Sequence, residues 1–279
     1  MFEYVFMQHA FVAGLVLGMA IPCVGVVVVL KHLSLMGDAL SHASLAGVAG
    51  GLVAGIDPVL GSAIACLGAA GATEIARKRV LGRQELAIAL VLACAVGLAG
   101  VLSGFTPNAA SFSSFLFGSI VAVDDGELAA VTVVGIAVIA FCALCHRQLL
   151  LVTLDEQQAR LAGVNVRLVN GAFVLACALA ISVGSRTVGA LVVSSMMVVP
   201  VACALTVARS WRQMVVLSCG AGLVMSAVGL VISYAFGLKP GGTIVLVGIG
   251  FLMVLTAGKA LAGRVRRRGC GENGDELPR

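Results

Sequence analysis

Apolar stretches near the length of a membrane-crossing helix recur along almost the whole chain, at 5–30, 37–56, 58–76, 85–104, 125–145, 168–185, 188–208, 213–236 and 241–258. About 20 such residues cross the hydrocarbon core of a bilayer as an α-helix, and a helix satisfies the backbone polar groups that lipid cannot. Composition agrees: 60% of residues are hydrophobic and 11% charged, where a soluble domain carries about 25% charged residues. The 35 glycines in 279 residues are near twice the usual share of about 7%, which suits closely packed membrane helices. The pattern predicts an all-α integral membrane protein, a polytopic bundle of eight or nine transmembrane helices. The count turns on 168–208, which "GSRTVGA" interrupts only briefly. Residues 1–263 read as the membrane domain and 264–279 as a basic, polar tail. The opening "MFEYVFMQHAFVAGLVLG" has no Lys or Arg ahead of its apolar core, so a first spanning helix is expected rather than a cleaved leader.

Charge sets the expected orientation. With the C-terminus in the cytoplasm, every Lys and Arg except Arg186 and Lys239 falls in an inner loop or the tail, a strong positive-inside bias. The net charge of +5 is thereby accounted for without a nucleic-acid partner. The cluster Arg264, Arg266, Arg267 and Arg268 reads as a topological anchor and an anionic-lipid contact. The nine cysteines are scattered, eight of them in or beside apolar runs, and read as small packing residues. "CALCH" (Cys142, Cys145, His146) matches a haem-attachment pattern, yet it ends an apolar helix on the inner side and reads as a helix end. Residues 104–124 lie outside, with a short surface helix expected in "SSFLFGSIVAV". Asp124, Asp125 and Glu127 follow it, either as helix-start acids or as a means of concentrating cations.

Against this background Asp38 and His42 stand out. Asp38 is the acid most clearly inside an apolar run, and His42 the one histidine clear of a boundary. A charge at membrane depth costs about 2.5–3.5 kcal/mol, so such residues are functional candidates. Four residues apart on a helix, the two share one face about 6 Å apart along the axis. A carboxylate with an imidazole suits Zn²⁺ and also Mn²⁺. The spacing alone leaves a metal or proton role and an Asp–His hydrogen bond that staples helices equally open. Gly47, Gly51 and Gly55 form a small-xxx-small repeat beside the pair, and Gly14 and Gly18 mark a similar face on the first helix.

The inner interlude "VTLDEQQARLAGVNVRLV" is the other polar feature. Thr153 and Glu156 have capping-box spacing, and Gly163 can close a helix of two to three turns. Such a helix serves either to meet a motor subunit or simply to lie at the interface. No phosphate-binding loop is present, since Gly258-Lys259 is followed by Ala260 with Met253 in place of the first Gly. Ser41 beside Asp38 and His42 forms no catalytic triad. The chain is not expected to hydrolyse ATP.

"LSLMGDALSHASLAGVAGG" (33–51) resembles the signature segment of bacterial metal-ion ABC transporter permeases, the zinc and manganese importers of the ABC-3 family. "FLFGSIVAV" (115–123), "LDEQQARLAGVNV" (154–166) and "VGALVVSSMMVVPVACA" (188–204) resemble further family segments, in the family's order. The resemblance implies an ABC importer permease in the bacterial cell (inner) membrane, homodimeric or paired with a second permease. Its implied partners are a cytoplasmic ATP-binding subunit and an extracellular or periplasmic metal-binding protein. It assigns Asp38 and His42 to the metal path, and coupling to Asp155, Glu156, Ala159 and Gly163 within a segment at about 153–167. Pro200 matches the family proline as a structural residue. No permanent cofactor is implied; Zn²⁺ or Mn²⁺ is the cargo. Leu45-Ala46-Gly47 stands where manganese-type members often have Leu-Pro-Gly, which favours zinc. The rival readings are a proton-coupled secondary transporter with Asp38–His42 as relay and a membrane scaffold.

Overall fold

The computed structural model describes residues 5–79, 84–105 and 124–271. The short helix expected in 113–123 lies outside them. The described residues are helical throughout, in the order α1 (Val5–Leu30), α2 (Leu35–Ala54), α3 (Pro58–Arg79), α4 (Gln84–Ser103) and α5 (Asp125–Leu144). Two short helices follow, α6 (His146–Leu154) and α7 (Glu156–Leu161), then α8 (Val166–Gly184), a π-turn at Ser185–Gly189, α9 (Ala190–Val207), α10 (Trp211–Phe236) and α11 (Pro240–Gly271). Most bounds fall within a residue or two of the apolar runs. The exception is α11, whose backbone stays helical to Gly271, beyond the apolar run read as ending at 258.

Among the described residues seven stretches are long and apolar enough to cross a membrane, with Val166–Val207 counted as one of 42 residues. An α-helix of that length would extend about 63 Å, twice the hydrocarbon core of about 30 Å. The chain instead reverses at the π-turn. Gly189 has φ +104°, and a Cβ on Gly184 would lie 3.1 Å from Val193 Cγ2. Nine residues along a straight helix are about 13.5 Å apart. Splitting that stretch, and adding α2, whose polar residues lower its hydropathy, gives nine spans among the described residues.

Side-chain contacts sort the helix ends into two faces. On one face His9 pairs with Asp125 at 3.4 Å, and Arg186 pairs with Glu127. On the other Lys31 meets Glu156, and Lys259 reaches the carbonyl of Thr206. α2 packs on α3 and α4, while α1 packs on α10, α5 and α9; α8 and α9 join the two groups.

Glycine governs the tightest crossings. A Cβ on Gly47 would strike the carbonyl oxygen of Gly61, and one on Gly61 would strike that of Gly47, so α2 and α3 touch backbone to backbone. Gly18 and Gly222 bring α1 and α10 together in the same way. Gly55, the third member of the expected repeat, does not pack. It has φ +69° and ends α2, with the N–H of Ile56 donating to the Gly51 carbonyl at 2.9 Å, a left-handed helix stop. Large aliphatic side chains face outward along the spans, among them Ile64, Val133, Leu246 and Val254, as lipid-facing surfaces require.

Candidate metal path and coupling site

The turn before α2 is a tight reversal. His32 sits at φ +55°, and the N–H of Leu33 donates to the carbonyl of Val28 at 2.9 Å. This is a left-handed stop with His where Gly is usual. α2 then places Asp38 in its first turn and His42 one turn further. The pair therefore lies toward the end of α2 on the Lys31 face rather than mid-span. Both are half-buried. Ser34 and Leu35, on the adjoining stripe of the helix, are exposed. No bond joins the two side chains to each other or to another described residue, so the staple expected as one alternative is not formed. Among the described residues no group of three or more His, Cys, Asp or Glu could hold a metal ion. Among the described residues, Asp38 and His42 would thus offer an ion at most two such ligands.

Two residues beyond His42, α2 enters a buried polar knot. Ser44 Oγ lies 2.8 Å from Ser62 Oγ and 2.5 Å from Ser185 Oγ, and Ser62 Oγ lies 2.8 Å from Ser182 Oγ. The Ser185 hydroxyl also donates to the Ser182 carbonyl at 3.0 Å. All four are fully buried, so α2, α3, α8 and the π-turn are joined by hydroxyls that satisfy one another. Cys66 adds a weak bond from its Sγ to the Leu40 carbonyl at 3.4 Å. Serines carry no periodic signature, and the sequence offered no sign that these four meet.

The second polar cluster joins the α1–α2 turn to the interlude. Lys31 Nζ donates to Asn170 Oδ1 at 2.8 Å and to Glu156 Oε1 at 3.3 Å, and Asn170 Nδ2 donates to the same Glu156 oxygen at 3.0 Å. The Lys31 side chain is only 9% exposed. Glu156 therefore does not close a capping box with Thr153, whose hydroxyl bonds back to the Leu149 carbonyl at 2.6 Å inside α6. Asp155 is the N-cap of α7 instead, accepting from the N–H groups of Gln157 at 2.7 Å and Gln158 at 3.3 Å. Ala159 is fully buried. Gly163, at φ +81°, closes α7 as expected: its N–H donates to Arg160 O at 3.1 Å and that of Val164 to Ala159 O at 3.0 Å. The helix is shorter than expected, at six residues. Leu154 just before it and Leu161 at its end are 74% and 90% exposed.

On the opposite face Asp124 is the N-cap of α5, without a side-chain cap bond. Asp57, Asp124, Glu127 and Arg186 line a cavity of about 550 Å³, in which Arg186 offsets Glu127. At the other end of α5, His146 Nδ1 engages the Ala143 carbonyl at 3.0 Å, a helix-end contact.

The comparisons with known proteins cover nearly all of this architecture. The model of the ABC 3 transport family matches residues 3–259. A probable metal transport system membrane protein of Treponema pallidum is 34% identical over 92% of this chain and 97% of that protein. The manganese transport system membrane protein MntC of Listeria monocytogenes is 30% identical over 92% of each. Among solved structures, PsaBC from Streptococcus pneumoniae in complex with Fab superposes with a TM-score of 0.81 at 29% identity over 91% of both chains. The helical bundle with its nine described spans, the half-buried Asp38–His42 pair and the helical interlude thus belong to a membrane protein of the ABC 3 transport family.

Proposed function

We propose that the chain is the permease subunit of an ATP-driven importer of divalent transition metal, with manganese as its cargo and Asp38 and His42 as the ligands it offers. The single observation that carries this reading is the pair itself: a carboxylate and an imidazole on one half-open face of α2, engaged by no described group of the chain. Carboxylate and water oxygens suit Mn²⁺, and imidazole extends the set to Zn²⁺. The zinc expectation rested on Ala46 alone. Manganese is the better supported, because curated relatives in Listeria and Streptococcus are named for manganese. Two ligands per chain bind weakly enough for release, as conduction requires, and a homodimer about α2 would supply four.

ATP would be hydrolysed on a separate subunit docked at α7, where Leu154 and Leu161 present uncovered apolar side chains on a polar segment. Movement of α7 is then carried through Glu156 to Lys31, whose turn starts α2, and to Asn170 in α8. The serine knot fixes α8 to α2 further along, so α2 is driven from two points. An external binding protein would deliver the ion on the other face. With this orientation, the C-terminus is cytoplasmic.

The test is manganese and zinc uptake in a deletion strain complemented with the chain and its partner subunits. Asp38→Ala and His42→Ala should each lower manganese uptake by at least the roughly 10–100-fold seen when even outer-shell metal contacts are lost, with ATPase activity retained. Normal uptake in both variants would sink the site, and rescue of zinc uptake alone would sink the manganese assignment.

A further inference from the structure

A cavity of about 620 Å³ opens between α1, α5, α6 and α10, none of which packs extensively against α2. It is separate from the metal path. Its deep part is lined by Met19, Cys142, Val215 and Leu223. Its mouth is formed by Trp211, Arg212 and His146, at the end of the bundle that carries the Lys31 face. None of its described lining residues is acidic.

Depth and charge identify what fits. From Trp211 to Leu223 along α10 is about 18 Å, close to half of the roughly 30 Å hydrocarbon core. The cavity therefore runs from one membrane surface to the mid-plane. Val216 on its wall is 69% exposed on a spanning helix, so the opening faces lipid. Arg212 is exposed and makes no ion pair with a described residue. Trp211 beside it is the kind of side chain that sits at headgroup level. We infer that this cavity holds the acyl chain of an anionic phospholipid whose headgroup pairs with Arg212.

The chain contains one tryptophan, and it stands at the mouth, so its fluorescence reports occupancy directly. The full chain is reconstituted in vesicles of one mixed composition, with bromine on the acyl chains of either phosphatidylglycerol or phosphatidylcholine. Brominated phosphatidylglycerol should reach the quenching position about five-fold better, the preference expected of one interfacial Arg. Arg212→Gln should bring the two lipids to parity. Gly220 lines the cavity, and a Cβ there meets nothing within 4 Å; Gly220→Phe sets a ring into that space and should weaken quenching by both lipids. Gly250→Phe, at an equally open position on α11, is the control and should leave quenching unchanged. Equal quenching by the two lipids in the unaltered chain, or quenching indifferent to Gly220→Phe, overturns the inference.

Discussion

A carboxylate in the middle of an apolar helix costs about 2.5–3.5 kcal/mol, whereas Asp38 stands in the first turn of α2. There the unsatisfied N–H groups and the helix dipole favour an anion by about 0.3–1 kcal/mol. The carboxylate is thus placed at less expense than its position in an apolar run suggested. Lys31, four residues before the helix begins at Leu35, is tied to Glu156 across 125 residues of sequence. The sequence marks Lys31 only as a loop cation, because nothing local connects it to its partner. If this pair transmits movement of α7, Lys31→Met should uncouple ATPase activity from metal uptake, lowering transport while hydrolysis continues. The exchange of Lys31→Glu with Glu156→Lys should recover part of it. A double-mutant cycle on thermal stability should give a coupling of about 0.5–3 kcal/mol, the range for residues in contact. Coupling near zero, with transport unaffected, would remove the pair from the mechanism.

At the scale of elements, identical substitutions in one helix should have opposite signs. Gly61 in α3 lies against the Gly47 backbone, while Gly71 in the same helix has nothing within 4 Å of an added Cβ. Gly61→Ala should force α2 and α3 apart and destabilise by about 1–3 kcal/mol, as overpacking does. Gly71→Ala should instead stabilise by about 0.4–1 kcal/mol through lost unfolded-state entropy. Thermal unfolding of the purified chain in detergent measures both, and equal shifts would contradict the close crossing. The Gly61 change should also part Ser44 from Ser62. Helix bounds were legible in the sequence because span length and hydropathy are local properties. The roles of glycines were not: Gly47, Gly51 and Gly55 share one spacing, yet Gly47 packs and Gly55 terminates. The same holds for the interlude, where Gly163 was readable as a stop from its backbone chemistry. The partner of Glu156 was not, because a long-range contact competed with the local cap.

For the molecule as a whole, the open stripe on α2 has a consequence for assembly. Ser34 and Leu35 are exposed and Asp38 and His42 half-buried in the isolated chain, on the face that carries the only ligand pair proposed for the path. A two-ligand set leaves most of a metal's coordination to be filled from elsewhere. A symmetric dimer closes an interface with the same patch from both protomers, so a dimer about this stripe would bring the four side chains to one axis. Two arrangements then make different quantitative demands. If each protomer carries its own path, a dimer with one altered protomer transports at half the normal rate. If the ion is held by both protomers at once, one lost carboxylate cripples the shared site. Co-expression of unaltered and Asp38→Ala chains under distinct affinity tags, followed by purification through both tags, isolates the mixed dimer. Reconstituted with its ATP-binding and metal-binding partners, that dimer should take up manganese at well below half the rate of the unaltered one. A rate of one half would separate the paths, and failure of the two tags to co-purify would exclude the homodimer itself.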